Sequence, residues 1–275
     1  MIKDIAKNYK LKLIITYILF LVENVLAISY PYLFGNFINY IITDEYSKLY
    51  ILPLALIAFV GTSIFRMMFD TRTFSEIYRD IASNLIVRLK KESVPTTKIS
   101  ARVNLSSSLV TFFESDLPRI IYMLFALGGG LYFIFLLDTN VGFLAILAVT
   151  IIGLIGWKFS KKIGKHTKAI NDLHEREIEN IESQPNPGHL YKIQKILQVK
   201  YSDASAINTL YNDLVIYSFI IVGILLYIST NDILLAGTAL SMYQYMLKVV
   251  NGVSQLPSSI SQYANLKDVL NRIKK

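Results

Sequence analysis

Apolar and polar residues fall along the chain in long blocks rather than in the short periods of a soluble fold. Leu13 to Ile42 is about 30 mostly apolar residues, enough to cross a bilayer with tilt or to project beyond it. A short polar turn, Thr43 to Lys48, leads into a second apolar run from Leu49 to Met68. Ile120 to Leu137 and Val141 to Trp157 are separated by only Asp138-Thr139-Asn140, which predicts a tight hairpin. Tyr211 to Ser229 and Ile233 to Val250 predict another. The pattern therefore predicts one all-α membrane domain over residues 1–275. Its six transmembrane helices fall at about 13–42, 49–68, 120–137, 141–157, 211–229 and 233–250.

The polar blocks are as informative as the apolar ones. Between the second and third spans lies a charged excursion, residues 70–119, in which Ile77, Ile81, Leu85 and Leu89 recur every four residues on one helical stripe. No proline or glycine interrupts the chain between Gly61 and Val94, so the second span is expected to continue as helix for about five turns, roughly 30 Å. After Pro95 a second periodic run returns with Leu105, Leu109 and Phe112 or Phe113. A second excursion, residues 158–203, repeats the plan and breaks at Pro185-Asn186-Pro187-Gly188, because proline lacks the N–H donor and clashes with the preceding turn. Residues 251–275 read as an amphipathic tail.

Charge then orients the chain. The N-terminus, both excursions and the tail share one side and carry 25 basic residues, whereas the three short turns opposite hold Lys48 alone. The positive-inside rule places both termini and both excursions in the cytoplasm. Frequent Ile, Lys, Asn and Tyr fit a bacterial source, hence a multi-pass protein of the bacterial cytoplasmic (inner) membrane. The first apolar run is too long for a cleavable signal. The net charge of +8 follows the membrane flanks rather than a patch on a soluble fold, which argues against a nucleic-acid partner and leaves lipid as the surroundings. There is no cysteine, and His166, His174 and His189 are scattered, so no metal site is expected. No Ser/His/Asp or paired-carboxylate arrangement points to catalysis.

Ionisable residues inside apolar spans are costly and are read first as functional. Glu23 and Asn24 fall midway along the first span, Arg66 near the end of the second, Lys248 near the end of the last. They are candidates for a polar substrate cavity, with Tyr243 and Tyr245, flanking Gln244, as possible amphipathic lining. The structural alternative is that Glu23 is neutralised by a partner helix and that Arg66 and Lys248 reach to the interface. Gly128-Gly129-Gly130 inside the third span is expected to permit close helix approach.

Several stretches resemble the six-helix membrane domain of type I ABC exporters. Pro31-Tyr32-Leu33-Phe34-Gly35-Asn36-Phe37-Ile38-Asn39 is similar to the family's P-x-x-x-G-x-x-I-D, with Asn39 in place of the acid. Ser100-Ala101-Arg102, followed by Asn104 to Asp116, resembles the return from the first intracellular loop, and Gly237 with Tyr243-Gln244-Tyr245 resembles the approach to the ATPase. The resemblance implies half of a transport pathway, working as a homodimer or paired with a similar chain, with its elbows against an ATPase. Arg102 and the second elbow (Pro185, Pro187, Gly188, Tyr191) are the expected partner contacts. No G-x-x-x-x-G-K-[ST] occurs, so no ATP site of that kind is expected in this chain and ATP would enter only through a separate ATPase. Two other readings stay open: a non-transporting receptor, scaffold or immunity protein on the same fold, and a proton-coupled transporter using Glu23.

Overall fold

The computed structural model describes residues 8–183, 188–231 and 235–255. They form seven α-helices: α1 (Lys10–Ile42), α2 (Ile51–Lys91), α3 (Thr96–Thr111), α4 (Leu117–Leu137), α5 (Thr139–Ser183), α6 (Gly188–Thr230) and α7 (Ala236–Ser254). Among the described residues, five stretches are long and apolar enough to cross a membrane: Lys10–Ile42, Tyr46–Lys91, Ser106–Leu137, Thr139–His166 and Tyr191–Thr230.

The expected sixth span, 233–250, is not among them, for a physical reason. α7 packs against α1, α4, α5 and α6. Met242, Tyr245, Met246, Val249, Val250 and Val253 are all buried in the main core. A helix enclosed by other helices does not need the all-round apolar surface that lipid demands. α7 is the centre of the bundle.

The first charged excursion behaves as its periodicity requires, whereas the break expected at 185–187 in the second lies outside the described residues. α2 runs unbroken from Ile51 to Lys91, and Ile77, Ile81, Leu85 and Leu89 are all buried. Ile77 and Ile81 join Phe74 and Val110, with Tyr9, Leu13 and Phe113 packed alongside. Leu85 and Leu89 close on Ile99 farther out. The helix stops at Glu92, where Ser93 turns the chain with φ 55°, and Pro95 precedes α3. We call this the elbow end of the bundle and the opposite end, holding residues 43–50 and Asp138, the turn end.

The helix returning after Pro95 is continuous from Thr96 to Leu137, through a π-helical turn at Phe112–Asp116. A π turn takes i→i+5 bonds and shifts the backbone register. The Tyr17 hydroxyl donates to the Phe113 carbonyl at 3.0 Å, which ties α1 to the widened turn.

At the turn end a single carboxylate organises the α4–α5 corner. Asp138 is extended (φ −158°, ψ 123°) and its Oδ1 accepts from the Asn140 and Val141 N–H groups at 2.8 and 3.0 Å, an N-cap for α5. Its Oδ2 accepts from Thr230 Oγ1 at 2.8 Å and Asn231 Nδ2 at 3.0 Å, binding the end of α6 to the same corner.

Candidate functional site

The site begins with an arginine that apolar surroundings cannot leave alone. Arg66 on α2 donates from Nε to Glu23 Oε2 on α1 and from Nη1 to Asp70 Oδ2, one turn along α2, at 2.8 Å. Its guanidinium lies over the Phe20 ring, 5.4 Å from the centroid. Asp70 is buried and stands beside the enclosed Thr16. Charges withdrawn from water persist when paired and hydrogen-bonded, and the in-plane N–H groups of one arginine can donate to two carboxylates at once. Glu23 and Arg66 stand out in the sequence as ionisable residues within apolar runs; Asp70 falls at the edge of the charged excursion, and only its i,i+4 spacing from Arg66 links the two.

Beside this triad lies a cavity of about 540 Å³ between α1, α2, α4 and α7. Glu23, Asn24, Arg66 and Lys248 all line it, together with Arg119 from α4, which in sequence falls at the edge of the first excursion. Asn24 spends its amide on the Phe20 carbonyl at 2.7 Å, a bond within its own helix. The rest of the wall is largely apolar and aromatic, including Leu33, Ala55, Leu56 and Phe59.

Tyr243 and Tyr245 are placed elsewhere. Tyr243 is partly exposed on the outer side of α7 and does not line this cavity. Tyr245 is fully buried and wedged against α1. Its hydroxyl donates to the Ile28 carbonyl at 2.8 Å and accepts from the Tyr32 N–H at 3.2 Å. Those two backbone groups are i→i−4 partners in an ideal helix, so the hydroxyl bridges the ladder next to Pro31, which has no N–H to give. The ring stacks on Phe133 of α4 at 4.8 Å and 5°.

The α1–α7 contact beyond this point is one of backbone against backbone. A Cβ on Gly35 would lie 1.9 Å from Ser241 Oγ and 2.3 Å from the Gly237 carbonyl oxygen. One on Gly237 would lie 2.0 Å from the Gly35 carbonyl oxygen. Asn39 completes the contact: its Oδ1 accepts from the Gly237 N–H at 3.0 Å and its Nδ2 donates to Thr238 Oγ1 at 3.0 Å, so α1 supplies a cap for the first turn of α7. A neutral amide can both donate and accept here. Of the triple glycine, a Cβ on Gly129 would lie 2.6 Å from Ile28 and one on Gly130 2.6 Å from Val249, whereas Gly128 is open.

The expected partner contacts are only partly visible. Gly188 opens α6 and Tyr191 is exposed on its first turns, while Pro185, Pro187 and the side chain of Arg102 lie outside the described residues.

Apolar helices of spanning length, packed around a cavity with charge in its wall, define a polytopic membrane protein. The chain matches the model of the ABC transporter transmembrane region over residues 2–237 and belongs to that family. It is a membrane transport subunit. A comparison with curated proteins gives no match.

Proposed function

We propose that this chain is the membrane-spanning half of an exporter-type ABC transporter, moving its substrate through the cavity beside the Glu23–Arg66–Asp70 triad. The observation that carries this is the enclosure of Glu23, Asn24, Arg66 and Lys248, from three separate helices, around one cavity of about 540 Å³. That volume falls within the range of small-molecule sites. In this reading α7 crosses the membrane as a sixth, protein-enclosed span, and both elbows and both termini face the cytoplasm of a bacterial cell, as the basic residues at the elbow end favour. Two such halves, identical or similar, build the complete pathway. A separate ATPase docks on the elbows, at Arg102 and the Pro185–Tyr191 segment, and supplies the ATP site.

The test is native purification from gentle detergent, with intact-complex mass spectrometry and an ATPase assay on the same sample. A dimer carrying two ATPase subunits with turnover is the expected result. A bare monomer, or a dimer that shows no ATP-dependent transport when ATPases are supplied, would sink it. Proton coupling through Glu23 is the less favoured mechanism, because Glu23 is held by Arg66 rather than left alone in the cavity. PH-dependent uptake that Glu23→Gln abolishes, with folding intact, would reverse that preference.

A further inference from the structure

Polarity in the cavity changes along the helices that line it. Along α2, at 1.5 Å per residue from its turn-end terminus, Ala55 lies about 6 Å and Phe59 about 12 Å in, and Arg66 follows at about 22 Å. Along α1, Leu33 lies about 14 Å and Glu23 about 28 Å from the turn end, while Lys248 lies 12 residues along α7 and Arg119 near the elbow end of α4. One end of the space is hydrocarbon-like; the other holds every charge in its wall.

Those charges are not equally engaged. Arg66 is paired with both Glu23 and Asp70, and the triad sums to −1 when both acids are ionised. Arg119 and Lys248 have no ion-pair partner among the described residues and bring +2 to the same end. Lys248 is half-buried, so its ammonium is partly withdrawn from water without a carboxylate to offset the loss. With the triad at −1, the charged end is left with a net +1 that an anion would offset.

Resting on the transport reading, we propose that the cavity takes an amphipathic anion. Its head group, a carboxylate or phosphate, lies between Arg119 and Lys248, and a single apolar chain runs toward Phe59, Leu56 and Ala55. A neutral apolar solute would leave both cations unanswered. A cationic amphiphile would meet them head-on. With the charged end at the elbow side, the head group enters from the leaflet on that side and the chain points toward the opposite one.

The test is equilibrium binding of dansyl-labelled undecanoate to the purified chain in non-ionic detergent, beside its methyl ester and an alkyl phosphate of equal chain length. The carboxylate or the phosphate is expected to bind at least about tenfold tighter than the ester, the effect of one charge-assisted hydrogen bond. Arg119→Gln with Lys248→Gln is expected to lower anion affinity to that of the ester, while Arg119→Lys with Lys248→Arg keeps it. Lys162→Gln, exposed on α5, serves as the control with no change. Equal affinity for anion and ester would overturn the proposal. So would full anion binding by the doubly neutralised variant, or loss of binding in the charge-keeping variant that still unfolds at the wild-type temperature. Because no ATPase takes part, failure here leaves the transporter reading standing. Conversely, anion binding by a chain that never pairs with an ATPase would remove that reading alone.

Discussion

Tyr245→Phe isolates one hydroxyl in the middle of the protein. The ring keeps its stack on Phe133, so only the two hydrogen bonds to the backbone of α1 are lost. Left without a partner, a buried amide or carbonyl costs about 1–3 kcal/mol, yet hydrogen bonds between membrane helices average nearer 0.6 kcal/mol because freed groups find other partners. Here the Tyr32 N–H and Ile28 C=O can partly close on each other as the ladder straightens, while Pro31 still prevents Ala27 from being paired. Two bonds with partial recovery come to about 1–2 kcal/mol, or roughly 3–6 °C in unfolding temperature for a chain of this size. Tyr245→Leu also removes the stacked pair, worth a further 0.5–1.5 kcal/mol or so, and should fall clearly below the Phe variant. Thermal unfolding of both variants in one detergent reads the difference. A Phe variant as stable as the wild type would refute the bridging role; equal losses in the two variants would refute the stacking share.

The remaining expectations use the same assay. Gly35→Val should prevent correct packing of α1 on α7, costing about 3 kcal/mol or more, since the obstacles are a carbonyl and a hydrogen-bonded hydroxyl rather than a flexible chain end; wild-type stability would show that the two backbones can part. Asp138→Ala should cost about 1–2 kcal/mol through the lost cap of α5 and the lost tie to α6. Partial burial pushes the Asp138 carboxyl up, but donors from Val141, Thr230, Asn231 and Asn140 outweigh it and hold it below its ordinary 3.8. Its contribution is therefore complete above pH 3.8 and lost as the pH falls through the lowered value, so the gap between wild type and Asp138→Ala should close only in that acid range. Arg66→Leu leaves two carboxylates unanswered and should cost about 3–5 kcal/mol, far more than Glu23→Gln, which leaves Arg66 on Asp70; a reversed order would mean the triad is not what holds α1 to α2.

What could be read from the residue order was mostly what repeats locally. The stripe Ile77–Ile81–Leu85–Leu89 and the break before Pro95 need only helical period and proline chemistry, and both stand in the fold. Glu23, Arg66 and Lys248 were visible because charge within an apolar run is anomalous on sight. Asp70 and Arg119 were hidden by the opposite circumstance: charged neighbours in sequence made them look like loop residues, although helix carries them back to the cavity wall. Tyr245 and Asn39 were illegible for another reason. Their partners lie about 200 residues away along the chain, and no short-range pattern announces that a tyrosine hydroxyl will mend a proline break or that an amide will cap a distant helix.

The Asp138 corner has a mechanical consequence. One carboxylate bonds the beginning of α5 and the end of α6, so the two longest rods in the fold share a fulcrum. α5 holds 45 residues, a rod about 68 Å long, of which the hydrocarbon core takes about 30 Å. Past that core its described ring contact is with α6, Phe159 against Tyr211 at 6.1 Å. A tilt of only about 10° at the fulcrum therefore carries the far end about 12 Å while the buried end hardly moves. The pair has the proportions of a lever: by geometry, a small rotation at the Asp138 corner is a large displacement at the far ends of α5 and α6.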